Sequence, residues 1–401
     1  MSDNLPQEVV FDILASLPVK SLLQMRCVCK SWNSLINSPN FITSHTNQTL
    51  ANNNNELVLL RHHTDGKDQF TVHCNNNIFN ECTTFDCPFT NWTKYYLRVV
   101  GSCGLVCLSS HDQTTILWNP SIKRCLNLPT PRITYKSHGS YTFILGFGLD
   151  PLANDFKVVR LIYFHKNFGY RLPEIRRYLI LSFNISTEVF HEIKLPDCAA
   201  NVFRLIASVA VYEESICLFH YDRDWGYPSK NCDIWVMKEY GAVESWTKFF
   251  TIDFGISKAV GFRKNGEFLA KDREGKLVTY DFKTRQIVYL GIHGLKQSFH
   301  LENYMESLVL LIEGNEVLEE KAKSYNALDK GIEETSELGS SINQQGSGSR
   351  GRFFCCAMPG SLTKTGLPRP SYRNLIDRPL QLERSLSQST MLEEAENNRK
   401  L

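Results

Sequence analysis

Two changes of texture along these 401 residues predict an α+β multidomain chain. Over residues 5–38, apolar side chains recur at helical spacing, enough for three small helices. From residue 56 to about 312 the pattern becomes many short runs rich in Val, Ile, Phe, Tyr and Trp. Gly, Asn, Asp and Pro break these runs, which reads as an all-β domain. Strand–turn–strand units recur there every ~45–65 residues, the period of propeller blades of about four strands. The expected organisation is a helical module over 1–45, a linker over 46–55, a propeller-like β domain over 56–312 and a mostly disordered tail over 313–401.

In the helical module, Pro6 suits a first turn, and Val10, Ile13, Leu14 and Leu17 form the i, i+3, i+4, i+7 stripe of an amphipathic helix before Pro18 stops it. In SLLQMRCV, Leu22, Met25 and Val28 share a side. In KSWNSLIN, Trp32, Leu35 and Ile36 do the same before Pro39. A module this small usually needs a partner, because below ~40 residues little apolar surface can be hidden internally. Spacing alone leaves two readings open: a small private core, or a surface that meets another protein. The following TNQTLANNNN is polar and without period, hence the linker.

In the β region, ILWNPSIKRCLNLP, LSFNISTEVFHEIKLP and VTYDFKTRQIVYLG each run strand, corner, strand, with Asn119, Asn184 or Asp281 at the corner. Asn and Asp suit corners because their side chains bond the local backbone. DIWVMKEYGAVESWTKFFTID follows the same logic with a longer turn. About six blades fit the available length, and an irregular β-sandwich is the competing architecture. Residues 313–350 are acidic and then rich in Ser, Gln and Gly, which predicts disorder, and FFCCAMPG beyond them does not fit the β pattern.

Composition excludes several classes. Forty-four basic against 42 acidic side chains give a net charge of +2, so no overall field favours nucleic acid or an anionic membrane. The N-terminus lacks the pattern of a signal peptide, and no apolar run reaches the ~18 residues of a membrane span. Thirteen cysteines without an export signal point to the cytosol or nucleus, with the thiols mostly as small core hydrophobes. Cys74, Cys82 and Cys87 lie near His62, His63 and His73 in sequence, but no pair stands at zinc-ligand spacing. Gly146-Phe147-Gly148 lacks the third glycine of a dinucleotide loop, and no nucleophile elbow or P-loop occurs. Acylation of Cys355-Cys356 is the weaker reading beside an unstructured tail.

The helical segment LPQEVVFDILASLPVKSLLQMRCVCKSWNSLI resembles a plant F-box along its whole length, through Leu5-Pro6, Ile13-Leu14, Leu17-Pro18-Val19-Lys20-Ser21-Leu22, Cys27-Val28-Cys29-Lys30-Ser31-Trp32 and Leu35-Ile36. Gln24-Met25 stands where the family usually has Arg-Phe, which keeps the apolar position and removes a charge. The β region is similar to the kelch-like F-box-associated interaction domain. The segments that carry this likeness are GSCGLVCL, LWNPSIKRCLNLP, GFGLDPLANDFKVVRL, SFNISTEVFHEIKLP, IWVMKEYGAVESWTKFFTI and YMESLVLL. In GSCGLVCL one residue is missing between Cys103 and Gly104 relative to the family, which is expected to distort a turn. The KEYG…SWTKFF and YMESLVLL segments are also similar to S-locus and S-haplotype-specific F-box proteins of self-incompatible plants, although general F-box proteins share them.

The resemblance implies a non-catalytic substrate-recognition subunit of an SCF-type (Skp–cullin–F-box) ubiquitin ligase, with no cofactor and no metal. The F-box would dock on a Skp-type adaptor and, through it, on cullin. The docking residues would be Leu5, Pro6, Ile13, Leu14, Leu17, Pro18, Val19, Leu22, Val28 and Trp32, with truncation costing most at Pro18 and Leu22. The β domain would hold a target protein, a stylar S-ribonuclease if the S-locus likeness holds. Candidate contact segments are 62–94, 131–141, 163–176 and 220–231, the last with Tyr221, Arg223, Trp225 and Tyr227, or these are plain exposed turns. Two rivals are a scaffold that uses the F-box without cullin, and an enzyme on a propeller, which requires a pocket of converging ionisable groups.

Overall fold

The computed structural model describes residues 6–52, 57–64, 67–76, 78–88, 98–110, 114–138, 141–150, 152, 155–164, 178–200, 207–221, 231–253, 255–263, 265–294, 299–310, 354–356 and 375–379. Four helices come first: α1 (Gln7–Ala15), α2 (Val19–Met25), α3 (Lys30–Ile36) and α4 (Pro39–Asn52). Pro6 and Pro18 stand immediately before α1 and α2 in extended backbone, where the ring has no helical hydrogen bond to break. The Cys29 side chain caps α3 by accepting the Trp32 N–H.

The expected linker is helical as far as Asn52. Its sequence has no apolar period, yet Phe41 and His45, one turn apart, are both buried, and the Phe11 and Phe41 rings meet edge-on at 5.2 Å. Thr46 and Thr49 hydroxyls turn back onto the carbonyls of Ile42 and His45, satisfying themselves within the helix. Packing of the first half, rather than propensity, sustains α4.

The strands follow as β1 (Leu57–Thr64), β2 (Lys67–Cys74), β3 (Glu81–Asp86), β4 (Arg98–Ser102), β5 (Leu105–Ser109), β6 (Thr115–Asn119) and β7 (Arg124–Asn127). Next are β8 (Tyr141–Asp150), β9 (Asp155–Phe164), β10 (Leu179–Asn184), β11 (Val189–Lys194), β12 (Ala207–Tyr212), β13 (Ser215–Tyr221), β14 (Cys232–Met237) and β15 (Trp246–Ile252). The last are β16 (Ile256–Phe262), β17 (Phe268–Asp272), β18 (Lys276–Tyr280), β19 (Ile287–His293), β20 (His300–Tyr304), β21 (Phe354–Cys356) and β22 (Leu375–Pro379). Among the described residues they form six sheets, four of them four-stranded: β20-β1-β2-β3, β4 to β7, β12 to β15 and β16 to β19. The edge strands β20, β4, β8, β21, β12 and β16 touch in that cyclic order, so the sheets stand around a ring as blades of a propeller.

Two blades depart from a simple meander. Strand β21 pairs in parallel with β10, and β22 in parallel with β9. Both come from the region expected to be disordered, and β21 lies within the FFCCAMPG segment. The remainder of 313–401 lies outside the described residues apart from these two strands.

Ring closure joins the chain's two ends. Antiparallel pairing of β20 with β1 puts a late strand at the inner edge of the first blade. The stretch after β20 then reaches the second blade, where Asn119, fully buried at the end of β6, donates to the carbonyls of Ser307 (2.8 Å) and Val309 (2.7 Å). Its own oxygen accepts the Ser121 N–H, and Ser121 Oγ is 2.7 Å from the Tyr304 hydroxyl. Leu308, in the same stretch, is buried among Leu14, Val19, Leu22, Ile36 and Phe41 of the helices. Ile42 and Ile122 bridge that cluster to the core of the second and third blades. The helical module therefore shares its core with the propeller.

The turn that lacks one residue is not distorted. Ser102 pairs with Leu105, leaving Cys103 (φ 48°) and Gly104 (φ 79°) as a two-residue turn with both residues left-handed, as a tight β-hairpin requires. A Cβ at Gly104 would stand 2.5 Å from Ser307 Cβ and 2.7 Å from the Met305 carbonyl, so glycine is demanded by space as well as by φ.

Three buried imidazoles bear on stability. His45 Nε2 lies 3.0 Å from the Leu17 carbonyl, His62 Nδ1 3.2 Å from the His293 carbonyl, and His73 Nδ1 3.2 Å from the Phe79 carbonyl. Burial holds all three below the ordinary histidine pKa, the carbonyl contacts opposing it only in part. The unfolded chain thus binds these protons more readily, so their contribution is full above pH ~6.5 and declines as pH falls below it. The melting temperature is expected to be lower at pH ~5.5 than at ~7.5, where carboxylates titrate little, and His73→Gln is expected to flatten the slope. Asn119→Ala, which strands two buried carbonyls, is expected to lower the unfolding free energy by about 2–4 kcal/mol in a urea titration.

Candidate adaptor-docking and target-facing surfaces

The helical module separates the sequence-predicted docking residues into two groups. Leu14, Val19 and Leu22 are buried in the core that includes Leu308, and Leu17 is half-buried against it. Pro6, Ile13, Pro18 and Val28 are exposed, Ile13 by 51% and Val28 by 61%, and Trp32 is half-buried. Leu5 lies outside the described residues. Pro6, Val9 and Ile13, at i, i+3 and i+7, form an apolar stripe on the outer side of α1, while Val10, Leu14 and Leu17 face inward. The expectation for Leu22 is therefore corrected: it is a core side chain, and its truncation acts first on folding. Val9 was not among the expected residues, although its spacing from Ile13 is the signal that reveals it.

The propeller has two rims, set by strand direction. Tyr212 and Phe262, at the ends of inner strands β12 and β16, have ring centroids 4.5 Å apart. Near the ends of β4 and β16, Gly101 faces Glu302 and Gly261 faces Leu301, both within β20. Inner strands thus end together at one rim, and the helical module is anchored there, through Leu308 beyond β20 and Ile122 beyond β6. Because blade strands alternate in direction, the ends of β1, β3, β7, β9 and β13 lie at the other rim. Most of the candidate target segments follow these strand ends in sequence. Within 62–94, the β2–β3 turn over 75–80 lies instead on the helical side.

Of the four candidate target residues, Tyr221 is a core residue. It is 7% exposed at the end of β13, and its hydroxyl accepts the Ala259 N–H at 2.6 Å. Alternation along β13 turns it inward with Cys217 and Phe219. Arg223, Trp225 and Tyr227 lie outside the described residues. The far rim also holds a half-buried basic group. Lys258 donates to the Phe299 carbonyl at 2.8 Å, and burial followed by the nearby Arg61 and Lys271 charges pushes its pKa down to about 8. Arg61 is countered by Asp68 at 2.7 Å.

On the helical side, a cleft of about 730 Å³ lies between blades and is lined by Tyr212, Phe249, Phe262, Arg263, Glu267 and Phe282, among others. Of its ionised groups, Arg263 pairs with Glu267 and donates to the Asn76 carbonyl, and Asp281 accepts from the Lys283 backbone N–H and the Thr284 hydroxyl. Among the described residues no set of three or more His, Cys, Asp and Glu side chains is placed to hold a metal ion, and no helix is long and apolar enough to cross a membrane. Of the eleven cysteines whose burial is described, Cys107, Cys217 and Cys232 are buried and Cys87, Cys103 and Cys125 pack partly buried against blade cores, while Cys27, Cys29, Cys74, Cys82 and Cys198 stand outside the cores.

Comparison with known proteins identifies the modules. Residues 2–44 match the F-box domain, and residues 55–172 and 168–311 match two models that are each described as an F-box associated beta propeller domain. The chain belongs to the F-box proteins with an F-box associated propeller. F-box protein CPR1 of Arabidopsis thaliana is 25% identical over 386 residues, covering 78% of this chain and 90% of that protein. An F-box/kelch-repeat protein of the same plant is 27% identical over 299 residues, 62% of this chain and 79% of its own.

In this F-box protein the KEYG…SWTKFF and YMESLVLL segments hold the fold. Trp246 of SWTKFF is buried and donates its indole N–H to the Lys194 carbonyl at 3.0 Å, while Tyr304, Ser307 and Leu308 of YMESLVLL make the closure described above. Leu22→Ala is expected to lower stability by about 2–4 kcal/mol, and Ile13→Ala to leave it within about 0.5 kcal/mol, in urea titrations of the purified chain.

Proposed function

We propose that this chain is the substrate-receptor subunit of an SCF-type ubiquitin ligase in the cytosol or nucleus. In this role it binds and positions, and the ubiquitin transfer belongs to the other subunits. The observation that carries the proposal is the outward apolar surface of the F-box, Pro6, Val9 and Ile13 on α1 with Pro18 and Val28 beyond it. Side chains of this kind gain by leaving water against a second protein, about 25 cal/mol for each Å² removed. A Skp-type adaptor is the partner that the F-box match supplies. Cullin follows through that adaptor.

The target, in this reading, is a protein held at the rim away from the F-box. Opposite placement lets adaptor and target be bound together without competing for surface. The shared core between Leu308 and the helices fixes their relative orientation, which favours transfer by keeping the two within a defined reach. A stylar S-ribonuclease as target rests only on the KEYG…SWTKFF and YMESLVLL likeness, whose described buried groups are occupied in the fold. Expression mainly in leaves rather than pollen would remove that finer reading.

Replacing Ile13 and Val28 together by Asp is expected to weaken binding of a purified Skp-type adaptor by at least about ten-fold while the melting temperature stays near wild type. Undiminished adaptor binding by this double variant would overturn the docking assignment. Loss of co-purifying cullin in the same variant tests the connection to the ligase.

A further inference from the structure

The β2–β3 hairpin brings two thiols together in a way that neither adaptor docking nor target binding uses. Cys74 Sγ and Cys82 Sγ are 2.7 Å apart, one half-buried and the other exposed. A β-bulge is the cause. Val72 pairs with Thr83 and His73 with Glu81, so Cys82 is the extra residue without a partner across the ladder. Such a bulge re-aims a side chain, here toward the residue that ends the opposite strand. The Cys74 N–H bonds the Asn80 carbonyl at 3.0 Å and holds the base of the turn in register. Cys87 is the next cysteine along the chain, but it packs at the core of the first two blades with Phe85 and Cys125.

We propose that Cys74 and Cys82 form a dithiol modification site that closes to an intrachain disulfide under an oxidised low-molecular-weight disulfide. One cysteine thiolate attacks the oxidant RSSR, forming a mixed disulfide and releasing RS⁻. The second thiolate attacks the protein-bound sulfur, forming the Cys74–Cys82 bond and releasing the second RS⁻. The pair loses two protons and two electrons, and RSSR leaves as two molecules of RSH. Each sulfur is the other's nearest resolving group, which favours the intrachain product over a lasting mixed disulfide.

The bond would clamp the turn that ties the first blade to the last. Within it, Asn76 Oδ1 accepts the N–H groups of Ile78 and Phe79, and the Asn76 carbonyl accepts from Arg263 of the final blade. The Arg263 guanidinium also lies over the Phe79 ring at 5.0 Å, and Asn75 lines the cleft beside it. Oxidation would thus restrain a contact across the seam where the ring closes.

The test is to incubate the full chain with oxidised glutathione, alkylate the remaining thiols and map the cysteines by mass spectrometry. The expected result is a Cys74–Cys82 cross-link, lighter by two hydrogens and reversed by dithiothreitol, with a higher melting temperature in the oxidised chain. Recovery of both cysteines alkylated, or each carrying glutathione without a cross-link, would overturn the proposal. In Cys82→Ser the cross-link and the oxidation-dependent rise are both expected to vanish. The mapping of the wild-type chain decides the matter even if that variant folds poorly.

Discussion

Everything in this molecule depends on the short stretch after β20, residues 305–310, and on the buried amide of Asn119 that holds it. That one side chain donates two hydrogen bonds to backbone carbonyls of the stretch and accepts one from Ser121. A buried carbonyl without a donor costs more than a hydrogen bond gains, so the three bonds act as a requirement rather than an ornament. With them in place, Leu308 stands in the F-box core and the Tyr304 hydroxyl meets Ser121. Ring closure, blade packing and helical anchoring thereby become one event. Gly104 belongs to the same constraint, because its missing side chain leaves room for Met305 and Ser307.

Much of this was legible in the sequence, and the reasons for success and failure differ by residue. The stripe read over Val10, Ile13, Leu14 and Leu17 faces inward at Val10, Leu14 and Leu17, because helical periodicity records burial, but Ile13 points outward and leaves it. Asn119 and Asn184 were readable as corners: each accepts backbone N–H groups two residues on. The helix through residues 46–52 was not, since its support comes from Phe41 and His45 one turn earlier and from Leu308 in the stretch after β20. Leu22 and Ile13 are alike in composition and motif. Only the three-dimensional contact with Leu308 tells the core side chain from the outward one.

Tyr221 illustrates a related limit. An aromatic beside Arg and Trp in a polar stretch reads as a binding anchor, yet strand alternation turns it into the blade, where its hydroxyl serves the Ala259 amide. Sequence locates a strand's end less well than its existence, and one residue decides which side of the sheet is reached. The parallel strands β21 and β22 were illegible for a different reason: their partners β10 and β9 lie some 175 and 215 positions earlier, and no local pattern announces such pairing.

The separation of the two rims has an evolutionary meaning. Substitutions in the strand ends near the F-box disturb a shared core, so change there is penalised through folding. Among the described residues, the strand ends of the opposite rim contribute no side chain to the helical core. Lengthening a connection there costs only about 0.6 kcal/mol for each doubling of the loop. Under the proposed receptor role, a lineage built on this scaffold can therefore exchange clients by insertion and drift on one side, while change on the side that shares the helical core is penalised through folding.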